Sequence, residues 1–160
     1  MIRWLRVGSA VLLALNCCGY STRSLLPPHL RTVAIAAVEN STTQPGLAEL
    51  LNDALSSAFH QDRNLRVTNV ENADLVVTVT ITGYTRTAAA YDTRQNISLY
   101  ELTVAGRVEA EDQVRDETFF SGTVSGRVTY DPNSVTEEAA TPKAIAKLAA
   151  EIVRQVVTAW

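Results

Sequence analysis

Residues 73–84 read Ala73-Asp74-Leu75-Val76-Val77-Thr78-Val79-Thr80-Ile81-Thr82-Gly83-Tyr84, and this stretch decides the fold. Leu75, Val77, Val79 and Ile81 recur at every second position, and threonines stand between them. Side chains along a strand point alternately to its two faces, so the pattern predicts a strand with one buried and one wetted side. Two later stretches repeat it. Residues 98–111 align Tyr100, Leu102, Val104, Gly106 and Val108 on one face, and residues 118–130 align Phe120, Gly122, Val124, Gly126, Val128 and Tyr130. The link at residues 111–116 is short and polar, which predicts an antiparallel meander. The link at residues 85–97 is longer and has no apolar period, so it either extends the first hairpin or forms a mobile tip.

Upstream of these strands, residues 65–70 form a short extended piece. Before it, Pro45 suits an early helical position, where a missing N–H costs nothing. Leu47, Leu50, Leu51, Ala54, Leu55, Ala58 and Phe59 then recur at helical spacing, and the pattern ends near Asp62-Arg63-Asn64. Residues 32–38, Thr32-Val33-Ala34-Ile35-Ala36-Ala37-Val38, are apolar on both faces and suit a buried strand. A polar turn follows at residues 39–43. Residues 21–30 hold Pro27-Pro28 and read as a tether outside the core.

Downstream, Asp131-Pro132-Asn133-Ser134 stops the last strand. Ser134 and Glu137 have capping-box spacing, and Thr141-Pro142 is a second helix start, so a helix restarts or kinks there. Ile145, Leu148, Ala149, Ile152, Val156 and Trp160 make its apolar stripe. Each stripe needs a sheet face to cover it. The economical arrangement is α+β: two helices packed on one face of a mostly antiparallel, roughly four-stranded sheet, with the other face polar. Residues 31–160 then form a single domain.

The amino terminus carries an address. Arg3 and Arg6 precede an apolar run over residues 7–15, which ends at Cys17-Cys18. A basic start and a short apolar stretch read as an export signal. The terminal cysteine makes it a bacterial lipoprotein signal, residues 1–17, cut before Cys18, whose thiol takes a diacylglycerol. The competing readings are an ordinary secretory signal cut nearby or a short anchor helix. Cys17 stands where such signals usually carry Gly, Ala or Ser. Acylation at Cys17 would instead place bulky Asn16 at the cleavage point, so Cys18 is the assigned residue. Two or more acyl chains give stable anchoring. Gly19 follows Cys18, and the absence of Asp there directs the protein to the outer membrane.

Both cysteines lie at this signal, so the mature domain has no internal disulfide and relies on its core. Loss of Arg3 and Arg6 with the signal takes the formal charge from −3 to −5. That balance argues against a nucleic-acid partner.

Catalytic equipment is nearly absent from the sequence. There are two histidines, His29 in the tether and His60 near the end of the first helix, and Asp62 does not share a helix face with His60. No glycine-rich phosphate loop or nucleophile elbow occurs. The chain reads as a non-enzyme without a cofactor beyond the lipid on Cys18. The polar sheet face is the candidate interaction surface. Alternation assigns to it Val76, Thr78, Thr80, Thr82 and Arg86, then Thr103, Arg107 and Glu109, then Ser121, Thr123, Ser125, Arg127 and Thr129. A threonine-rich face is the ordinary solvated side of a sheet. Its arginines, with Arg94 and Arg115 at the hairpin tips, suit a polar partner wall or an anionic glycolipid, since guanidinium groups bind phosphate bidentately. Glu101 and Glu109 prevent a purely basic platform.

Several short segments together resemble a family. They are Cys18-Gly19-Tyr20, Val33-Ala34-Ile35, Glu39-Asn40-Ser41-Thr42, Ala73-Asp74-Leu75-Val76, Gly83-Tyr84 and Tyr100-Glu101-Leu102-Thr103-Val104. In these the mature chain is similar to the lipopolysaccharide-assembly lipoproteins, the LptE family. Relatives commonly carry proline and an aromatic residue where Ala36-Ala37-Val38 stand here. The resemblance implies an outer-membrane lipoprotein that plugs the lumen of the LptD β-barrel and helps it fold. It also implies a part in the translocon that delivers lipopolysaccharide to the outer leaflet. Only Cys18 carries over as a family site. Arg86, Arg107 and Arg127, from the face pattern, and Arg94, from its place at a hairpin tip, are candidate contacts to lipopolysaccharide or the barrel.

Overall fold

The computed structural model describes residues 26–159. The signal and Cys18 lie outside the described residues. The elements, in chain order, are β1 (Thr32–Asn40), α1 (Leu47–Asp62), β2 (Arg66–Val67), a 3-10 turn (Val70–Asn72), β3 (Leu75–Tyr91), β4 (Ile97–Asp112), β5 (Glu117–Tyr130) and α2 (Glu137–Thr158).

The sheet has five strands in the order β2-β1-β3-β4-β5. β3, β4 and β5 form the antiparallel meander that their alternation and short links dictate. β1 runs parallel to both β2 and β3. A parallel partner needs a crossover, and α1 supplies the one between β1 and β2. The expected count of four becomes five because the extended piece before the 3-10 turn pairs with β1 through Arg66 and Val67.

Both helices cover the same sheet face. Leu47, Leu51, Leu55 and Phe59 of α1 are buried, while Leu50 is exposed, so the stripe is narrower than the sequence pattern. Gly46 opens this helix with φ 76°, a left-handed conformation that glycine adopts without strain. Arg63, also left-handed, closes it by donating its N–H to Phe59 O. In α2 the cap is Thr136, whose Oγ1 accepts from Ala139 N; Ser134 instead belongs to the Asp131 turn. The helix neither stops nor restarts at Pro142 but runs through it.

The core lies between the helices and the faces predicted by alternation. Leu75, Val77, Val79, Ile81, Leu102, Val104 and Val108 meet Ile145, Leu148, Ile152 and Val156 there. Gly126 lets α2 lie directly on β5: a Cβ at this position would collide with Ala144 O and Leu148 N.

Four further expectations are corrected. Leu26 and Leu30, placed in the tether, are buried core residues, so the core begins before β1. β1 is buried on both faces only at its start, Thr32, Val33 and Ala34; a register shift between Ile35 and Ala37 leaves Ala36 and Ala37 exposed. Val76 does point away from the helices, but it is buried with Ala34 and Ala73 in a small second cluster. The fourth correction concerns Arg86. A bulge between Ile81 and Gly83 reverses the alternation, and Arg86 therefore pairs in register with Leu102, a core residue. Arg86 sits on the helix side of the sheet, not on the open face. The 85–97 segment proves to be the extended hairpin, closed by a turn at Asp92–Asn96 in which Asp92 O accepts from Gln95 N.

Candidate functional site

The open face is laid out in rows across the strands. One row is Thr80, Arg107 and Thr123, and another is Thr85, Thr103 and Arg127. Between them lies a neutral row of Gly83, Ala105 and Ser125, and beyond them, one on each side, lie rows carrying Glu109 with Thr78 and Ser121, and Glu101 with Thr87 and Thr129. Arg107 and Arg127 are exposed, and neither has an ion-pair partner among the described residues. They stand four residues apart along β5, about 13 Å by strand rise. The surface is thus hydroxyl-rich with two separated cations flanked by acids, a hydrogen-bonding face and not a basic patch.

Arg94 is exposed on the turn at the far end of the β3–β4 hairpin. Asp92 Oδ1 shapes that turn by accepting from Arg94 N and Asn96 N, and bonds from Asn96 and Arg94 hold the Asp92 carboxyl below its ordinary range. Beyond the Tyr100–Tyr130 pair no other strand accompanies the hairpin among the described residues. Tyr91, 64 % exposed, projects there. Arg115 lies 3.6 Å from Glu117 across the other turn, an exposed pair of small energetic value.

Arg86 has a different role. Its guanidinium packs 4.7 Å from the Tyr100 ring centroid and pairs with Glu137 at 2.5 Å. Tyr100 stacks on Tyr130 at 5.9 Å, and Tyr84 donates its hydroxyl to Glu137 Oε1 at 2.8 Å. Burial, with Glu137 beside it, raises the Tyr84 pKa even though Thr141 opposes the shift. This cluster fastens the base of the hairpin to the first turn of α2.

A second polar knot lies at the opposite end of the sheet, where the chain enters. His29 Nε2 is 2.5 Å from Asp112 Oδ2, and Asp112 Oδ1 accepts from Val114 N and Arg115 N. Asp74 Oδ2 accepts from Arg31 N, Thr32 N and Thr32 Oγ1. Burial opposes ionisation of both carboxyls. The bonds from Arg31 and Thr32 on Asp74, and from His29, Arg115 and Val114 on Asp112, outweigh it and lower both pKa values. Sequence reasoning missed this knot: His29 and Asp112 are 83 positions apart and share no local pattern. The entry point and Arg94 therefore mark opposite ends of β3, whose 17 residues span about 56 Å.

No group of three or more metal-ligating side chains occurs among the described residues, and no described helix is long and apolar enough to cross a membrane. His60 is exposed. A groove of about 640 Å³ runs between residues 123–127 of β5 and α2, lined by Arg127, Lys147, Glu151 and Arg154.

Several solved structures share this fold. A protein of Chlamydia trachomatis, CT253, superimposes with a TM-score of 0.59 at 12% identity, over 79% of this chain and 95% of that one. A PelC dodecamer from Paraburkholderia phytofirmans gives 0.56 at 14% identity, over 81% and 90%. A minor lipoprotein from Acinetobacter baumannii gives 0.51 at 15% identity, over 80% and 93%. No curated protein matches the chain by sequence. The family model described as lipopolysaccharide-assembly, LptE, matches residues 30–160, which include every strand and both helices. The chain belongs to the LptE family of lipopolysaccharide-assembly proteins.

Proposed function

We propose that this protein is an outer-membrane lipoprotein, acylated on Cys18, that occupies the lumen of an LptD-like β-barrel and assists its assembly. Together the two form the translocon that inserts lipopolysaccharide into the outer leaflet. The family match over residues 30–160 carries this reading. The open face supports it physically. The lumen of a membrane barrel is polar, so a plug must offer hydrogen-bonding side chains over a broad rigid surface. The threonines and serines of β3, β4 and β5 do so.

The long axis supports it too. The chain emerges from the knot at Asp74 and Asp112, and Arg94 and Tyr91 stand at the other end. The β3 span of about 56 Å exceeds the roughly 30 Å hydrocarbon thickness of a bilayer. A domain leashed to the inner leaflet by Cys18 therefore reaches the level of the outer leaflet with its hairpin. In this reading Arg94, Arg107 and Arg127 meet lipopolysaccharide phosphates or the barrel wall.

The test is a pull-down of the full-length protein from detergent-solubilised outer membranes, with fatty-acid labelling. A large β-barrel should co-purify in near-equal amount, and a Cys18→Ser variant should lose the label. Recovery with a secretin or an inner-membrane complex would overturn the reading. The rival is a scaffold or accessory lipoprotein of another export or secretion complex. The likeness to the PelC dodecamer favours it at the level of fold, and recovery as a many-copy ring without a barrel would establish it.

A further inference from the structure

β5 ends the sheet, and no described strand pairs with its outer flank. Its register with β4 is unbroken from Phe120 to Tyr130, because the only shift in this pair falls between Ala110 and Glu111. Residues 120–130 contain no proline. The opposite side of the sheet is blunted: β2 has two residues, and beyond it β1 is broken by its register shift. Proteins usually protect a long flat edge, since its unpaired N–H and C=O groups form a template for another strand. Here the edge is bordered by the groove between residues 123–127 and α2.

The charge of that groove is specific. Arg154 donates from both Nε and Nη2 to Glu151, and the Glu151 carboxyl, bonded by Arg154 and Gln155, is lowered to about 2. These two charges cancel each other. Arg127, on the open side of the edge, and Lys147, on the helix side, are both exposed and have no ion-pair partner among the described residues. A strand laid beside β5 would carry side chains to both faces alternately and so could meet both cations.

We propose that the β5 edge binds, by strand addition, an extended acidic segment of the barrel partner. Main-chain hydrogen bonds to residues 120–130 hold the segment, and carboxylates on alternate faces pair with Arg127 and Lys147. The barrel as partner rests on the function proposed above; the edge, the groove and the two unpaired cations do not. The inference adds a main-chain contact to a plug otherwise held by side chains.

Amide hydrogen exchange tests it, on the full-length lipoprotein alone and in its co-purified barrel complex in the same detergent. Every second amide of residues 120–130 should exchange more slowly in the complex, because only alternate N–H groups point outward. The double variant Arg127→Glu with Lys147→Glu should remove this protection and weaken retention of the barrel about tenfold, with the circular dichroism and melting temperature of wild type. If the barrel is retained while the β5 amides exchange as in the free lipoprotein, strand addition is wrong and the plug reading stands. If wild type retains no barrel, the plug reading fails and this inference falls with it. Concentration-dependent protection of β5 in the lipoprotein alone would identify a second copy as the occupant and overturn the proposal.

Discussion

The imidazole Nε2 of His29 lies 2.5 Å from the buried Oδ2 of Asp112, joining the segment that enters the domain to the end of β4. Asp112 is 2 % exposed, and its other oxygen is already committed to the turn that leads into β5. Removing His29 leaves a buried carboxylate oxygen without its partner. His29→Ala should therefore lower stability by about 1–3 kcal/mol, read from urea unfolding. His29→Gln, which retains a donor, should recover part of the loss.

Acid should act on the same end of the molecule. Asp74 and Asp112 have folded pKa values below those of the unfolded chain. Such groups contribute stability that is fully present above the unfolded value, about 3.9, and is lost as pH falls through the folded value. Melting temperature should thus be insensitive to these two carboxyls near neutrality and fall below about pH 4. An Asp74→Asn variant should melt lower at neutral pH and show a shallower acid limb. Parallel acid limbs for variant and wild type would exclude Asp74 as a source of the dependence.

Gly126 should tolerate no side chain. A Cβ there meets the backbone of α2 at Ala144 and Leu148, which cannot move without lifting the helix from the sheet. Gly126→Ala should cost about 2–3 kcal/mol or more. Gly83→Ala is the control, since its Cβ would make an ordinary 3.5 Å contact with Ala105. Thermal melts of the two variants should differ by many degrees, and equal melts would show that α2 is not seated as described.

The arginines should separate into two groups. Arg86→Ala removes a half-exposed ion pair and a contact with the Tyr100 ring and should lower the melting temperature slightly, with glycolipid binding unchanged. Arg107→Ala with Arg127→Ala should leave stability within about 0.5 kcal/mol of wild type and weaken binding to vesicles containing an anionic glycolipid. Unchanged vesicle binding by that double variant would remove the open face from the lipid-contact proposal.

The period-two alternation of β3, β4 and β5 was legible because one sheet face is buried and the other is not. For the same reason the open face was legible in its threonines and in Arg107 and Arg127. Arg86 was assigned to the wrong side because a single bulged residue, Thr82, inverts the parity of everything after it. The tether was misread at Leu26 and Leu30 because two prolines signal extended backbone, which is no bar to burying the leucines that flank them.

By itself the sequence determined the meander, the two helical stripes and the family resemblance, all of which are written in short-range patterns of side-chain polarity; the export address ending at Cys18 is its proposal. Tertiary structure alone decided that β1 runs parallel beside β3, that His29 meets Asp112, that Arg86 of β3 pairs with Glu137 of α2 and that β5 is the long free edge. Each of these depends on which distant segments become neighbours. Polarity and spacing along the chain carry no record of that, because partners are selected only when the whole core closes.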